Sequence, residues 1–377
     1  MKRLLSIFFT VVMGMALLCG CAVAPKGFTA ESSDGRMFSE GEAYDNFYNY
    51  CPSVMVDGDK AHVWYCANEH SGVVGDTISY REGRLVGGKW YWGKKQIVLR
   101  HTDGAWDSAN VCDPSVIRGE FGYEGNTYTW LMSYLGCTTT DNSSNTFGFA
   151  VATDPAGPWV KIPDPLYDFY EFHPGYEYTG TNTFIWGMGQ PSLISADKKG
   201  RVLVFYTGNS TTGQRVELWD LSDLAHPVKI ISNEVNNLGV LSLTGDTDTI
   251  CNADFVYDGY RNNFYMMCDV HPFDDTQWPT NLPLATNIYA MPVNPAQVGT
   301  EEFGLDLVNN RWTKIYALDE MSTGFPRNSN AGFFRDAYGW LPQEKGFELA
   351  YMACPLGADW HVLYQYRIYR KSFVINF

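Results

Sequence analysis

The sequence predicts an all-β fold, a five-bladed β-propeller, and two observations predict it. The first is a turn-and-strand motif that occurs five times. Its copies begin Tyr50-Cys51-Pro52-Ser53-Val54, Cys112-Asp113-Pro114-Ser115-Val116, Gly189-Gln190-Pro191-Ser192-Leu193, Cys251-Asn252-Ala253-Asp254-Phe255 and Ser329-Asn330-Ala331-Gly332-Phe333. Each runs through an apolar stretch and a polar turn into a second apolar strand, at 62–66, 129–134, 202–206, 263–268 and 347–352. The second is the period, roughly 60 to 80 residues. It is long for a solenoid and suits a four-stranded sheet repeated around an axis.

Gly, Pro, Asn and Asp punctuate every junction, as a strand-and-turn chain requires. The blades are expected at about 46–99, 110–165, 188–235, 249–318 and from 330 to the C-terminus. Blade one takes its outer strands from 77–81, 90–92 and 96–99, and blade two its third from 147–152. Two long aromatic-rich inserts, 167–186 and 271–283, read as functional loops.

The N-terminus reads as a targeting segment. Lys2 and Arg3 precede an apolar run over 4–18 that ends Leu18-Cys19-Gly20-Cys21. The run is short for a membrane span and ends in small residues. The expectation is a lipoprotein signal peptide over 1–20, with Cys21 the lipidated first residue; an ordinary cleaved signal peptide is the alternative. A tether over 21–45 and a single propeller domain over 46–377 complete the layout. The chain would then be an exported bacterial lipoprotein of the cell envelope, at the outer membrane or cell surface, touching membrane through its lipid anchor only.

The formal net charge is −15. It disfavours nucleic acid and other polyanions as partners, since phosphate would be repelled. It leaves neutral sugars open. The 12 Trp and 24 Tyr fit both strand packing and sugar stacking, and composition does not separate these.

Seven cysteines follow Cys21. Cys51, Cys112 and Cys251 open first strands; Cys66, Cys137 and Cys268 close the second strands of the same blades. In an antiparallel hairpin those places are neighbours. The pairs 51–66, 112–137 and 251–268 are therefore expected close together, bonded or as buried thiols, with Cys354 unpaired. No Cys/His spacing suggests zinc.

In a propeller the first residue of each inner strand and the end of the next strand reach one face. The inner ring is Cys51, Asp113, Gln190, Asn252 and Asn330, with Asp254 two positions further along. Around it come Glu69, His70, Cys137, Thr138, Gly208, Asn209, Asp269 and His271, and loops add Trp106, Asp107, Trp186 and Arg327. Carboxylates, amides and aromatics in one place suit a polyhydroxylated ligand. Each candidate also has a structural reading. Asp113 can cap its turn, Asp254 can bond neighbouring backbone, and Glu69 and Asp269 can be solvated loop carboxylates. Asp107 reads as loop structure and His271 as a local packing residue.

The Asp113-Pro114-Ser115 turn, the Gly157-Pro158-Trp159 strand ending and the five repeats resemble the five-bladed propeller glycoside hydrolases, family 43 and its relatives in families 32 and 117. The resemblance covers the mature chain at the level of architecture. It implies a carboxylate at the first strand of blades one, two and three: a base or nucleophile, an Asp that orients the sugar, and a Glu acid. Only Asp113 matches. Cys51 stands in the blade-one slot and Gln190 in the blade-three slot.

Two functions follow. In the first, the chain hydrolyses an oligosaccharide or polysaccharide, with a furanoside such as an arabinoside or fructoside implied by the resemblance. The catalytic carboxylates would come from Asp113, Glu69, Asp254 and Asp269. Gln190, Asn252, Asn330, Trp106, Trp186, His271 and Arg327 would bind substrate. In the second, the protein is a non-catalytic surface glycan-binding lipoprotein. A glycoside phosphorylase would want a basic pocket, for which only Arg327 stands out. No cofactor is required, and a structural calcium at the axis is allowed by the converging oxygens, though no loop specifies one.

Overall fold

A computed structural model describes residues 24–38, 48–69, 75–140, 143–208, 213–272, 283–342, 346–354 and 366–373. The signal segment with Cys21, and His70 and Asn209, lie outside the described residues. Among the described residues no helix is long and apolar enough to cross a membrane.

The fold is an all-β propeller built from antiparallel units. A short strand, β1 (Thr29–Ala30), precedes unit one, which holds β2 (Asn49–Asp57), β3 (Lys60–Asn68), β4 (Asp76–Val86), β5 (Lys89–Trp92) and β6 (Gln96–Leu99). Unit two is β7 (Asn110–Tyr123), β8 (Asn126–Cys137), β9 (Thr146–Ala152) and β10 (Val160–Lys161). Unit three is β11 (Gly189–Ser195), β12 (Arg201–Thr207), β13 (Gln214–Asp220) and β14 (Val228–Glu234). Unit four is β15 (Asp254–Asp258), β16 (Asn263–Asp269), β17 (Thr286–Pro292) and β18 (Thr313–Leu318). β19 (Arg327–Arg335), β20 (Phe347–Cys354) and β21 (Arg367–Phe373) form the last unit. Units two, three and four are separate four-stranded sheets. The first and last merge into one nine-stranded sheet through parallel pairing of β19 with β2, with Phe334 opposite Val54. Gly332 makes that closure: a Cβ there would lie 2.1 Å from the Pro52 carbonyl oxygen.

The second strands β8, β12 and β16 are buried over most of their length almost without alternation because units pack on both their faces. Apolar residues of unit two, such as Ile117, Leu131 and Phe147, pack on Leu193, Val202 and Val204 of unit three. Phe205 stacks on Phe255 across the next junction with ring centroids 4.0 Å apart.

The tether expectation needs correcting for part of its length. β1 pairs with β5, and Met37 and Phe38 are buried in the core of unit one. Glu31, also buried, forms a 2.9 Å ion pair with Arg370 of β21. An apolar pair and a carboxylate spaced to reach two units dock this segment; its polar, Gly-containing composition hid that.

The repeat has a backbone signature that residue types only hinted at. Cys51, Asp113, Gln190, Asn252 and Asn330 all adopt the left-handed region, with φ between 46° and 53°. Four of them sit inside a bulge of the inner strand, where pairing with the second strand skips. Asp and Asn tolerate this conformation, whereas Cys51 and Gln190 hold it at a cost of about 1–2 kcal/mol each. The prolines that follow three of them supply no N–H, so the bulge leaves no donor unpaired there.

Two residues further on, a second ring ties the units together. Ser53 Oγ accepts from Val116 N, Ser115 Oγ from Leu193 N, Ser192 Oγ from Phe255 N and Asp254 Oδ2 from Phe333 N. Arg335 lies in the middle, 2% exposed. Its guanidinium donates to Ser53, Ser115, Ser192 and Asp254, and to the carbonyls of Leu193 and Phe255. This arginine fills the axis and forms the floor of what lies above.

Candidate active site

The left-handed ring opens onto a cavity of about 160 Å³. Cys51, Asp113, Gln190, Asn252 and Asn330 line it, as expected, together with Trp186. Its wall also holds Tyr50, Asp76, Asn110, Leu135 and Asn145, which the sequence reading did not single out. A narrower space of about 50 Å³ continues down to Asp254 and Arg335.

Asp113 and Asp76 are the two carboxylates of the main cavity. Burial pushes Asp113 up to about 6; a hydrogen bond from the Cys51 thiol opposes this, and the Asp76 charge adds to it. Burial also raises Asp76, against hydrogen bonds from two phenols. Tyr48 donates to Oδ1 at 2.8 Å and Tyr50 to Oδ2 at 2.7 Å. Asp76 opens β4, and Asn110 accepts its backbone N–H at 3.1 Å. Its spacing from the inner strand differs from the ring motif, so only the pairing of β3 with β4 shows that it reaches the cavity.

Cys51 is a thiol here. Burial and then the charge of Asp113 push it well above the ordinary range, so it donates to Asp113 and does not act as an anion. Gln190 accepts from Thr207 Oγ1 at 2.7 Å and from the Asn252 backbone at 3.0 Å. That holds the amide as a structural link between units three and four.

The other predicted carboxylates fall elsewhere. Asp269 is fully buried beside the ring and accepts from Asn252 Nδ2, Thr286 Oγ1 and Ser329 Oγ at 2.6–2.7 Å. Burial pushes it up to about 6, and those hydrogen bonds oppose the rise. It positions Asn252 and Asn330. Asp254 belongs to the axial floor with Arg335, 3.3 Å away. Glu69 does not line the cavity and forms a 2.9 Å ion pair with Arg100.

Trp106 packs inward, stacked on Tyr134 at 5.1 Å and against Gly136 and Gly148. His271 bonds Asp248 through both its backbone and its ring. Arg327 is buried within β19 opposite Cys354. Of the predicted set, Asp113, Gln190, Asn252, Asn330 and Trp186 come together at the cavity. Asp107 is structural, as expected: it is buried, accepts from Tyr134 and pairs with Lys161.

The cysteine expectation holds in part: the Cys51 and Cys66 sulfurs lie within 4.8 Å of each other and Cys354 is free, but the bonding partner is corrected. The bond present joins Cys66 to Cys112, with Cα atoms 5.2 Å apart, and so links unit one to unit two. Cys51, Cys137, Cys251, Cys268 and Cys354 are free. Hairpin register pairs Tyr50 with Cys66 and Leu135 with Cys112. This turns the two sulfurs across the junction between inner strands, a proximity that counting within hairpins overlooks. The disulfide borders the cavity: Asp113 N–H donates to Cys66 Sγ at 3.0 Å.

No family model and no curated protein sequence matches the chain. Solved structures do match. An exo-β-1,3-galactanase from Phanerochaete chrysosporium, solved with galactose, aligns with TM-score 0.52 at 11% identity. The alignment covers 89% of this chain and 64% of that one, so this chain spans under two thirds of the galactanase's length. An α-L-arabinofuranosidase from Podospora anserina aligns with TM-score 0.48 at 11% identity, over 92% of this chain and 97% of that one. A family 117 glycoside hydrolase from Zobellia galactanivorans aligns with TM-score 0.48 at 9% identity, over 91% and 88%. At 11% identity the likeness to the galactanase is one of fold.

Proposed function

We propose that the chain is a glycoside hydrolase that cleaves an oligosaccharide or polysaccharide at the axial cavity. The observation that carries this is the pair Asp113 and Asp76 in one cavity of amides and an indole ring. Glycoside hydrolysis needs one protonated and one ionised carboxyl group flanking the scissile bond. Asp113, raised to about 6 and facing a thiol, is the general acid. Asp76, held by Tyr48 and Tyr50, is the base or nucleophile. Gln190, Asn252 and Asn330 orient sugar hydroxyls, and Trp186 offers a ring face. No step draws on a cofactor. Calcium does not fit the axis, where the Arg335 guanidinium already bonds the converging oxygens of Ser53, Ser115 and Asp254.

A furanoside, an arabinoside or fructoside, is the first substrate class to assay, with β-1,3-galactan beside it because the galactanase shares the fold. Hydrolysis by the wild type that is lost in both Asp113→Asn and Asp76→Asn supports the assignment. Sugar binding without hydrolysis of any substrate on a broad glycoside panel would select the non-catalytic reading instead.

The signal segment supports an exported lipoprotein acylated at Cys21. Metabolic labelling with a fatty-acid analogue is expected to mark the wild type and not Cys21→Ala. Equal labelling of the two, or none in either, rules the anchor out.

A further inference from the structure

A second cavity of about 300 Å³ lies beside the axial one and is the roomier of the two, against about 160 Å³. A thin strip of chain separates them. Trp186 faces the axial cavity, while Gly187 and Met188 face the second. Asn145 clamps the strip, accepting from Met188 N at 2.9 Å and donating from its own backbone to the Trp186 carbonyl at 2.9 Å. A side chain at Gly187 would collide with Asn145, its Cβ 2.2 Å from the carbonyl oxygen. The partition is therefore backbone thick, and the two cavities share the Trp186–Met188 strip as a common wall.

The lining of the second cavity is aromatic with its polar groups fixed beneath. Tyr167, Phe169, Phe172 and Tyr206 form its walls. Glu217, 2% exposed, accepts from Tyr167 Oη at 2.5 Å, Tyr206 Oη at 3.3 Å, Trp219 Nε1 at 2.9 Å and Ser232 Oγ at 2.7 Å. Lys229 lies 3.6 Å from that carboxylate and donates to Tyr167 Oη at 2.7 Å. This buried carboxylate is balanced and fully bonded, so its work is to lock the rings in place. Phe172 stands at the mouth, 55% exposed, edge-on to Tyr167 with centroids 6.1 Å apart. An exposed ring over locked phenols is a stacking platform with hydroxyl edges, which matches the two faces of a sugar.

We infer that this cavity is a second sugar subsite of the same ligand, occupied by a residue of the chain whose cleavage point sits at Asp113. The ligand is then an oligosaccharide long enough to pass over the Trp186–Met188 strip, not a single capped sugar. This rests on the glycan reading of the axial cavity. The insert that carries Tyr167, Phe169 and Phe172 is the element that sets chain-length preference.

The test is calorimetric and enzymatic, with 1,5-α-L-arabino-oligosaccharides and β-1,3-galacto-oligosaccharides of two to six units as probes. Binding is measured in the Asp113→Asn background with and without Phe172→Ala; Phe172 is exposed, so the fold tolerates its loss. Affinity is expected to rise with length, and Phe172→Ala to weaken the long probes about tenfold while leaving the disaccharides within about twofold. Equal effects on short and long probes, no effect on either, or no binding of any probe would overturn the subsite. If the wild type hydrolyses nothing yet the length-dependent loss appears, the catalytic reading fails and the subsite stands.

Discussion

Asp113→Asn is expected to lower kcat by about 100-fold or more while glycan affinity stays within about threefold. The amide keeps the size and most of the hydrogen bonding of the side chain but has no proton to deliver to a leaving group. The wild-type rate should fall as pH rises through about 6, because burial pushes Asp113 up to that value and the acid works only when protonated. The residual rate of the variant should lack that limb. Stability moves the same way. Between the unfolded carboxyl value of 3.8 and about 6 the folded chain binds the Asp113 proton more tightly than the unfolded one, so this group's contribution is full below 3.8 and lost as pH rises through 6. At pH 8 the variant is thus expected to melt above the wild type, and at pH 4 this advantage should be gone. Undiminished hydrolysis in Asp113→Asn would remove the assignment whatever the melting curves show.

The ring of inner-strand residues was legible because a propeller repeats one local problem. Each unit needs a residue that turns the chain into its inner strand at the axis, and Asp, Asn or an X-Pro pair advertises that need. The shared left-handed backbone at Cys51 and Gln190 was not legible, since neither residue prefers it; closure of the ring imposes it. The serines and Asp254 that follow were visible as a pattern. Their partner Arg335 was not, because it lies at the far end of β19, and its place on the axis depends on the parallel closure of β19 against β2.

The site divides along the same line. Asp113 was legible from a motif, and Trp186 from an aromatic insert before an inner strand. Asp76 was not, because it opens the third strand of its unit, and its contact with Tyr48 and Tyr50 arises from packing between strands. Asp254 and Asp269 reach the axis, yet their oxygens are taken by Arg335, Ser329, Thr286 and Asn252. Sequence locates a carboxylate; only its neighbours decide whether it is free to react. Trp106 shows the same for aromatics, since Gly136 and Gly148 make room for its ring against the core.

Replacing Arg335 by Met is expected to destabilise the fold by about 3–5 kcal/mol, the scale for removing one partner of a buried, hydrogen-bonded ion pair. Methionine keeps much of the volume, so the loss would be electrostatic more than cavity formation. Asp254 would keep its bonds to Phe333 N and Ser192 Oγ but lose its only cation within ion-pair distance among the described residues. Ser53 and Ser115 would lose a donor at the axis. Asp254→Asn should cost less than Arg335→Met, and the double variant less than the sum, because each single change strands the other charge. Urea unfolding of the four proteins measures the coupling. Because the guanidinium bonds groups from units one, two, three and four at once, its loss should also loosen the ring above it and raise KM for any glycan turned over. A loss below about 1 kcal/mol in Arg335→Met would mean that the serine and Asp254 ring closes the axis unaided, and that the arginine only fills space beneath the cavity.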